Sequence, residues 1–238
     1  MTPKTLESVS NKRSLIIGTL LGDACSRRRD SGGRMKAEYI ILHSLKQADL
    51  VEWKAREIGR LYGRDIKVNY NHTWDRAAFY VTQNGRLRVI HDWFHRNGKK
   101  VITDKIRFMD HPAGLAMLLC DDGSIRQRKK THKDGSLYYL SPSITIATHC
   151  FDRGSVERLL QHIELLCRAK GYINPERRFR AGTLVEYNRV NFNSENSRKL
   201  WEYVEQWIPG VPSMLSKFSF AIERYGIDRS SDNSRGLD

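Results

Sequence analysis

Cysteine is scarce and unpaired in this chain. Cys25, Cys120, Cys150 and Cys167 are its four, and no two stand in a C-x-x-C spacing. Two of them fall inside apolar helical pattern, so they read as reduced intracellular thiols and exclude a disulfide framework or a zinc site. The eight histidines are scattered. Only His91 and His95 share a helical i,i+4 spacing, without a neighbouring carboxylate or cysteine set to complete a metal site. Long apolar runs are also missing: none approaches the roughly 18–20 residues that span a bilayer. Met1 to Ser14 is polar and carries no apolar signal-peptide core. Negative charge is in deficit as well, with 27 Asp+Glu against 41 Lys+Arg and a net charge of +14. With no lipid-binding segment to accompany that charge, the expected polyanion is nucleic acid. The 238 residues allow one large domain or two of about 100 residues.

What is present is a pair of apolar stretches that end in aspartate and run into basic segments. The first, Leu15 to Ala24, carries Asp23 and is followed by Arg27, Arg28 and Arg29; the second, Gly114 to Ser124, carries Asp121 and Asp122 and is followed by Arg126, Arg128, Lys129 and Lys130. A carboxylate at a helix C-terminus faces the negative pole of the macrodipole. Finding it twice points to carboxylates with a cation to bind.

The order of elements around the two stretches repeats. After Asp23 the pattern predicts strands at 25–31 and 35–43 and a capping box at Ser44-Leu45-Lys46-Gln47. A helix with Val51, Ala55, Ile58 and Leu61 on one face follows. Strands at 66–71 and 77–82 then lead to a helix marked by Leu87, Ile90 and Phe94 and closed by Gly98. After Asp122 the same order predicts strands at 124–131 and 137–147 and a helix from Asp152 with Val156, Leu160, Ile163 and Cys167, stopping at Gly171. Strands at 172–180 and 183–190 and a helix from Ser194 with Leu200, Val204 and Trp207 complete it. The expectation is an α+β protein of duplicated α-β-β-α-β-β-α units: a first repeat over 1–96, a linker over 97–111, a second repeat over 112–225 and a disordered tail over 226–238.

Gly18 and Gly22 lie four apart on one helix face, and Ala116 and Cys120 form a comparable small pair. If the helices pack side by side, their aspartates meet and repel unless divalent cations lie between them. Oxygen ligands completed by water and phosphate suit Mg²⁺, and carboxylates, metal and a nucleic-acid backbone together spell phosphodiester hydrolysis. Either stretch alone is an ordinary core helix with a polar stop. Two at the same place in duplicated halves are not.

Ile16 to Ala24 and Leu115 to Gly123 resemble the paired signature of the LAGLIDADG homing endonucleases in their single-chain, two-repeat form. The likeness runs from about residue 13 to 220 and extends to Asn97-Gly98-Lys99-Lys100-Val101-Ile102 and Pro212-Ser213-Met214-Leu215-Ser216-Lys217. The resemblance implies a pseudo-twofold molecule with the motif helices at its centre and two antiparallel sheets forming a DNA-binding saddle. It implies two or three shared divalent ions, Mg²⁺ above all, held by Asp23 and Asp122 with Gly22 and Asp121 beside them. It also implies that Lys100 and Lys217 assist near the cleaved phosphates. Two departures stand out: Met117 replaces a small residue, and Asp121 stands where Gly or Ala is usual. Packing by small pairs nominates Asp121 as the counterpart of Asp23, whereas alignment on the terminal Asp-Gly-Ser nominates Asp122; Lys99 is a rival to Lys100.

The implied partner is double-stranded DNA with a long target site, bound by a monomer without an obligate protein partner. The implied location is intracellular, in the bacterial cytoplasm or an organelle. No splicing-type Cys or Ser start and His-Asn end flank the block, which sets an intein aside. The competing reading is an RNA maturase or a non-cleaving DNA-binding regulator on the same scaffold. For the DNA face, alternation groups Lys67, Asn69 and Asn71, and separately Arg178 and Arg180. Arg27, Arg29, Arg34, Lys36, Arg126, Arg128 and Lys130 extend it, mostly toward phosphates.

Overall fold

The computed structural model describes residues 9–30, 35–83, 85–180 and 182–225. The predicted tail and Arg34 lie outside them. Helix α1 (Val9–Leu21) feeds strands β1 (Cys25–Asp30) and β2 (Met35–His43), helix α2 (Ala48–Tyr62), strands β3 (Asn69–Asn71) and β4 (Arg76–Gln83) and helix α3 (Arg86–Phe94). A hairpin of β5 (His95–Arg96) and β6 (Lys99–Lys100) and a 3₁₀ turn over Asp104–Phe108 lead to helix α4 (Pro112–Asp122). The second half then runs through β7 (Gly123–Arg126), β8 (Lys129–Thr131), β9 (Leu137–Tyr139), β10 (Ser143–Ala147), α5 (Arg153–Cys167), β11 (Gly171–Arg180), β12 (Thr183–Phe192) and α6 (Ser194–Val204). It ends in α7 (Pro212–Lys217) and α8 (Ser219–Tyr225).

Two four-stranded antiparallel sheets result, ordered β1-β2-β4-β3 and β7-β10-β12-β11. Each opens on the strand that leaves a motif helix, so the duplication expected from the sequence is present in the topology. One face of each sheet packs on helices: Ala37, Tyr39 and Ile41 of β2, Ile144 and Ile146 of β10, and Val190 and Phe192 of β12 are buried. Leu50, Val51, Ala55 and Ile58 of α2 and Val156, Leu159 and Ile163 of α5 supply the opposing apolar stripe. A fully buried Leu or Ile contributes roughly 1.5–3 kcal/mol, which makes this alternation the main determinant of register.

At the centre, α1 and α4 lie side by side. Every residue of α4 from Ala113 to Cys120 is buried, as expected of a helix apolar on all sides. It starts cleanly, with Pro112 in its first turn and the His111 ring nitrogen accepting from the Ala113 N–H at 3.2 Å. The close approach depends on glycine: a Cβ on Gly18 would stand 1.9 Å from the carbonyl oxygen of Gly114. The small residue nearest Gly18 is thus Gly114, and Ala116 and Cys120 are both buried.

Several boundaries differ from expectation, each for a local reason. Ser44 makes no capping hydrogen bond; residues 45–47 form a 3₁₀ turn and Gln47 turns its side chain to His43. The third helix ends at Phe94, not Gly98, because Asn97 (φ 51°) and Gly98 (φ 73°) form the two-residue turn of the β5–β6 hairpin. Of the stretch 66–71 only β3 joins the ladder, with Ile66 and Val68 packed against the core before it. The spans 124–131 and 137–147 each split, since β7 pairs with β10 and β8 with β9. Pro142, which has no N–H to donate, sits just before β10. Helix α5 starts on an Asp152 cap and ends at Arg168 in the left-handed region, before Gly171. Asn193 caps α6, and Trp207 lies in a following 3₁₀ turn.

Candidate active site

Both motif helices deliver their terminal acids to one place. The Asp23 N–H donates to Oδ2 of Asp121 at 3.2 Å, so the two halves touch at the predicted residues. Asp122 lies close enough to be governed by both neighbours: burial first, then Asp23 and Asp121, push its carboxyl up to about 7. The Asp23 side chain remains 42% exposed while the Asp121 side chain is fully buried. Gly22 leaves the room that Asp121 fills, since a Cβ there would stand 2.6 Å from the Asp121 Cβ.

Lys100 and Lys217 arrive from opposite halves and make equivalent contacts. Lys100, on β6, donates to the carbonyl of Gly22 at 2.6 Å. Lys217, at the end of α7, donates to the carbonyls of Cys120 at 2.6 Å and Asp121 at 3.2 Å. Lys100 therefore holds the carbonyl before Asp23, while Lys217 holds the carbonyl before Asp121 at 2.6 Å and the one before Asp122 at 3.2 Å, so the lysine contacts fit both registers. Lys99 is exposed. The hairpin turn aims Lys100, and α7 is anchored by Ser213, whose N–H and hydroxyl both bond the Asp49 carboxylate of α2 at 2.8 and 2.6 Å. Burial pulls the Lys217 ammonium below its ordinary range, partly offset by Cys120 and the nearby aspartates.

Sequence reasoning missed Lys54 and His43. Lys54, fully buried on α2, forms an ion pair with Oδ1 of Asp121. Its ammonium also lies 3.2 Å from Nε2 of His43. An ammonium can only donate, so Nε2 is the acceptor and the ring proton resides on Nδ1. That proton points toward Gln47 Oε1 at 3.2 Å and Asp23 Oδ2 at 3.5 Å. Burial, then Lys54, lowers the His43 pKa. A signal was available: Lys54 interrupts the apolar stripe of Leu50, Val51, Ala55 and Ile58.

Among the described residues, Asp23, His43 and Asp121 present ligand atoms within 4.8 Å of one another. Asp121 is already paired with Lys54, which leaves Asp23 and Asp122 as the carboxylates without a buried lysine partner of that kind. The donor set fits a hard divalent cation: carboxylate and carbonyl oxygens, where burial first and then the neighbouring aspartates raise the Asp122 carboxyl to about 7.

The predicted basic residues fall mostly on the sheet faces away from the helices. Arg27 lies opposite Glu38 and bonds it at 2.5 Å, whereas Arg28 turns to the helix side and pairs with Asp92 at 2.7 Å. Asn69 and Asn71 share a register face with Ala78 and Arg76; Lys36 lies opposite Arg29. Arg126 is exposed opposite Ser143, and register alone places Arg178 and Arg180, opposite Val185 and Thr183. Lys67, Arg128 and Lys130 are exposed outside these two sheets, Lys130 on the β8–β9 hairpin. Tyr172, Asn174 and Arg189, unremarked in the sequence, join the second face.

No curated protein matches the chain. Among solved structures it is similar to the homing endonuclease I-WcaI bound to its DNA recognition sequence, at 17% identity and a TM-score of 0.55 over 90% of this chain and 87% of that one. It is likewise similar to I-DmoI in complex with DNA and Mn (11% identity, TM-score 0.55, 86% and 100% covered). A third is I-SmaMI bound to an uncleaved DNA target in the presence of calcium ions (10% identity, TM-score 0.53, 88% and 89% covered). At these identities the likeness establishes the α+β fold with its duplicated halves. The family model for the LAGLIDADG DNA endonuclease family matches residues 13–170, and the chain belongs to that family.

Proposed function

We propose that this protein is a site-specific DNA endonuclease that hydrolyses one phosphodiester in each strand of a long duplex target with divalent metal, acts as a monomer and serves the homing of an intron or freestanding element. The observation that carries the reading is the convergence of Asp23 and Asp122 between two basic sheets, each preceded by a carbonyl that a lysine holds. Asp23 and Asp122 would hold the divalent ions, with the Gly22 and Asp121 carbonyls beside them. Those ions, when bound, activate water and stabilise the leaving oxygen. Lys100 and Lys217 fix the helix ends and place positive charge where phosphate charge develops. The sheets bind the duplex as a saddle whose strands enter the major groove, Arg and Asn side chains reading base edges there. I-DmoI, similar in fold, is known in complex with DNA and Mn.

Filled acidic positions in both halves favour cleavage over a maturase or regulator that only binds. In the test, Asp23→Asn and Asp122→Asn retain binding to a duplex selected by the parent protein and lose Mg²⁺-dependent cleavage. Full cleavage by either variant overturns the assignment.

A further inference from the structure

The two helix ends differ in a way that duplication does not predict. Gly22 and Asp121 each precede a terminal aspartate. Lys54 and Leu159 are each the seventh residue of a 15-residue helix, α2 and α5. His43 and Thr148 each stand five residues before those helices begin. One set of places therefore holds Asp121, Lys54 and His43, all charged or polar. The matching set holds Gly22, Leu159 and Thr148, and Thr148 spends its hydroxyl on the carbonyl of Asn188. A buried ion pair returns little net stability, because desolvation consumes most of its attraction. Its presence on one side only calls for another consequence.

That consequence lies at Asp23. Asp121, held by Lys54, accepts the Asp23 N–H at 3.2 Å. His43, held by Lys54 and Gln47, puts Nδ1 3.5 Å from the Asp23 carboxylate. Asp23 is thus held at its backbone N–H, with the His43 ring beside its carboxylate. Asp122 can receive neither contact from the matching places, since Gly22 has no side chain and Thr148 is turned to the sheet.

We propose that Asp121, Lys54 and His43 are positioning residues that make the two half-sites unequal, so that the strand served by Asp23 is cut before the strand served by Asp122. The inference rests on the nuclease reading above. One hydrogen bond to a charged acceptor corresponds to roughly tenfold in rate when it acts on one half-site only.

The test uses the full chain and a duplex retained by the protein from a random library in Ca²⁺, with a different fluorophore on each strand. Nicking rates of the two strands are measured separately after addition of Mg²⁺. The strand served by Asp23 is the one that Asp23→Asn slows more. The unmodified protein should nick it about tenfold faster than the other. In Asp121→Gly/Lys54→Leu, which installs at both places the residues the other half already carries, the rates should converge to within about twofold. Because Lys54→Leu alone strands a buried carboxylate, the double variant, checked for folding by circular dichroism, is the decisive one. Equal rates in the unmodified protein, or an unchanged ratio in the folded double variant, overturn this inference alone. Absence of any cleavage by the unmodified protein overturns the nuclease reading and this inference with it.

Discussion

Replacing Gly18 with alanine probes the packing that brings the aspartates together. The new Cβ would stand 1.9 Å from the Gly114 oxygen and 2.6 Å from its carbonyl carbon. A relaxed carbon–oxygen contact is about 3.3–3.6 Å, so the helices must part by roughly 1.5 Å. Backbone atoms on both sides leave no flexible group to give way. Overpacking of this kind costs about 1–3 kcal/mol, read as a lower urea midpoint at unchanged slope. The loss of cleavage should be larger, on the order of a hundredfold, because a misplacement near 1 Å at reacting groups is that expensive. Gly154→Ala is the control: its nearest neighbour lies at 3.5 Å, and a helical alanine there should gain about 0.5 kcal/mol. A Gly18→Ala protein as stable and as active as the parent would refute the close-packed seam as the device that sets the site.

Lys54→Leu should destabilise by roughly 3–5 kcal/mol, since it leaves the buried Asp121 carboxylate unpaired, whereas Asp121→Gly/Lys54→Leu should recover most of that loss in urea titrations; additive losses contradict the pairing. Asp122 has a carboxyl raised to about 7 in the folded chain, so its contribution is present below the ordinary carboxylate range and lost as pH climbs through 7. The melting temperature in chelator should therefore fall from pH 5 to pH 8, Mg²⁺ should restore it most at the upper end, and a pH-independent gap speaks against cation binding at Asp122. Binding to the selected duplex should weaken about 10³- to 10⁵-fold between 50 and 200 mM salt if the basic faces meet some 6–10 phosphates. A flat salt response by filter retention excludes that use of the faces.

The parts of this molecule that were readable are those with a periodic signal. Alternation in β2 and the 3.6-residue stripe of α2 state which side is buried, and the topology follows from repeating that order twice. Boundaries were less legible where two local signals competed. Gly98 reads as a helix stop, yet with Asn97 it is a hairpin turn, and that turn is what carries Lys100 to Gly22. Ser44 and Gln47 have capping spacing, but Gln47 satisfies His43 instead. The buried network was least legible because its members are far apart in the chain. Lys54 and Asp121 are separated by 67 residues, and each looks like a blemish when read alone: a lysine in an apolar stripe, an acid in place of a small residue. Their opposite signs at two otherwise apolar places were the available clue.

The same geometry explains why such a pair suits a chain that carries both halves. Asp121 fits because Gly22 opposite has no side chain, and a Cβ there would stand 2.6 Å from the Asp121 Cβ. Two identical subunits would place an aspartate at both positions, so the side chains would collide and two buried carboxylates would face each other, a repulsion that drives one to keep its proton. Covalent joining lets one half take Asp121 with Lys54 and the other Gly22 with Leu159, satisfying sterics and charge together. Installing aspartate at position 22 tests that exclusion: Gly22→Asp should lose stability even beside an added Leu159→Lys, because the new lysine neutralises charge and cannot make room.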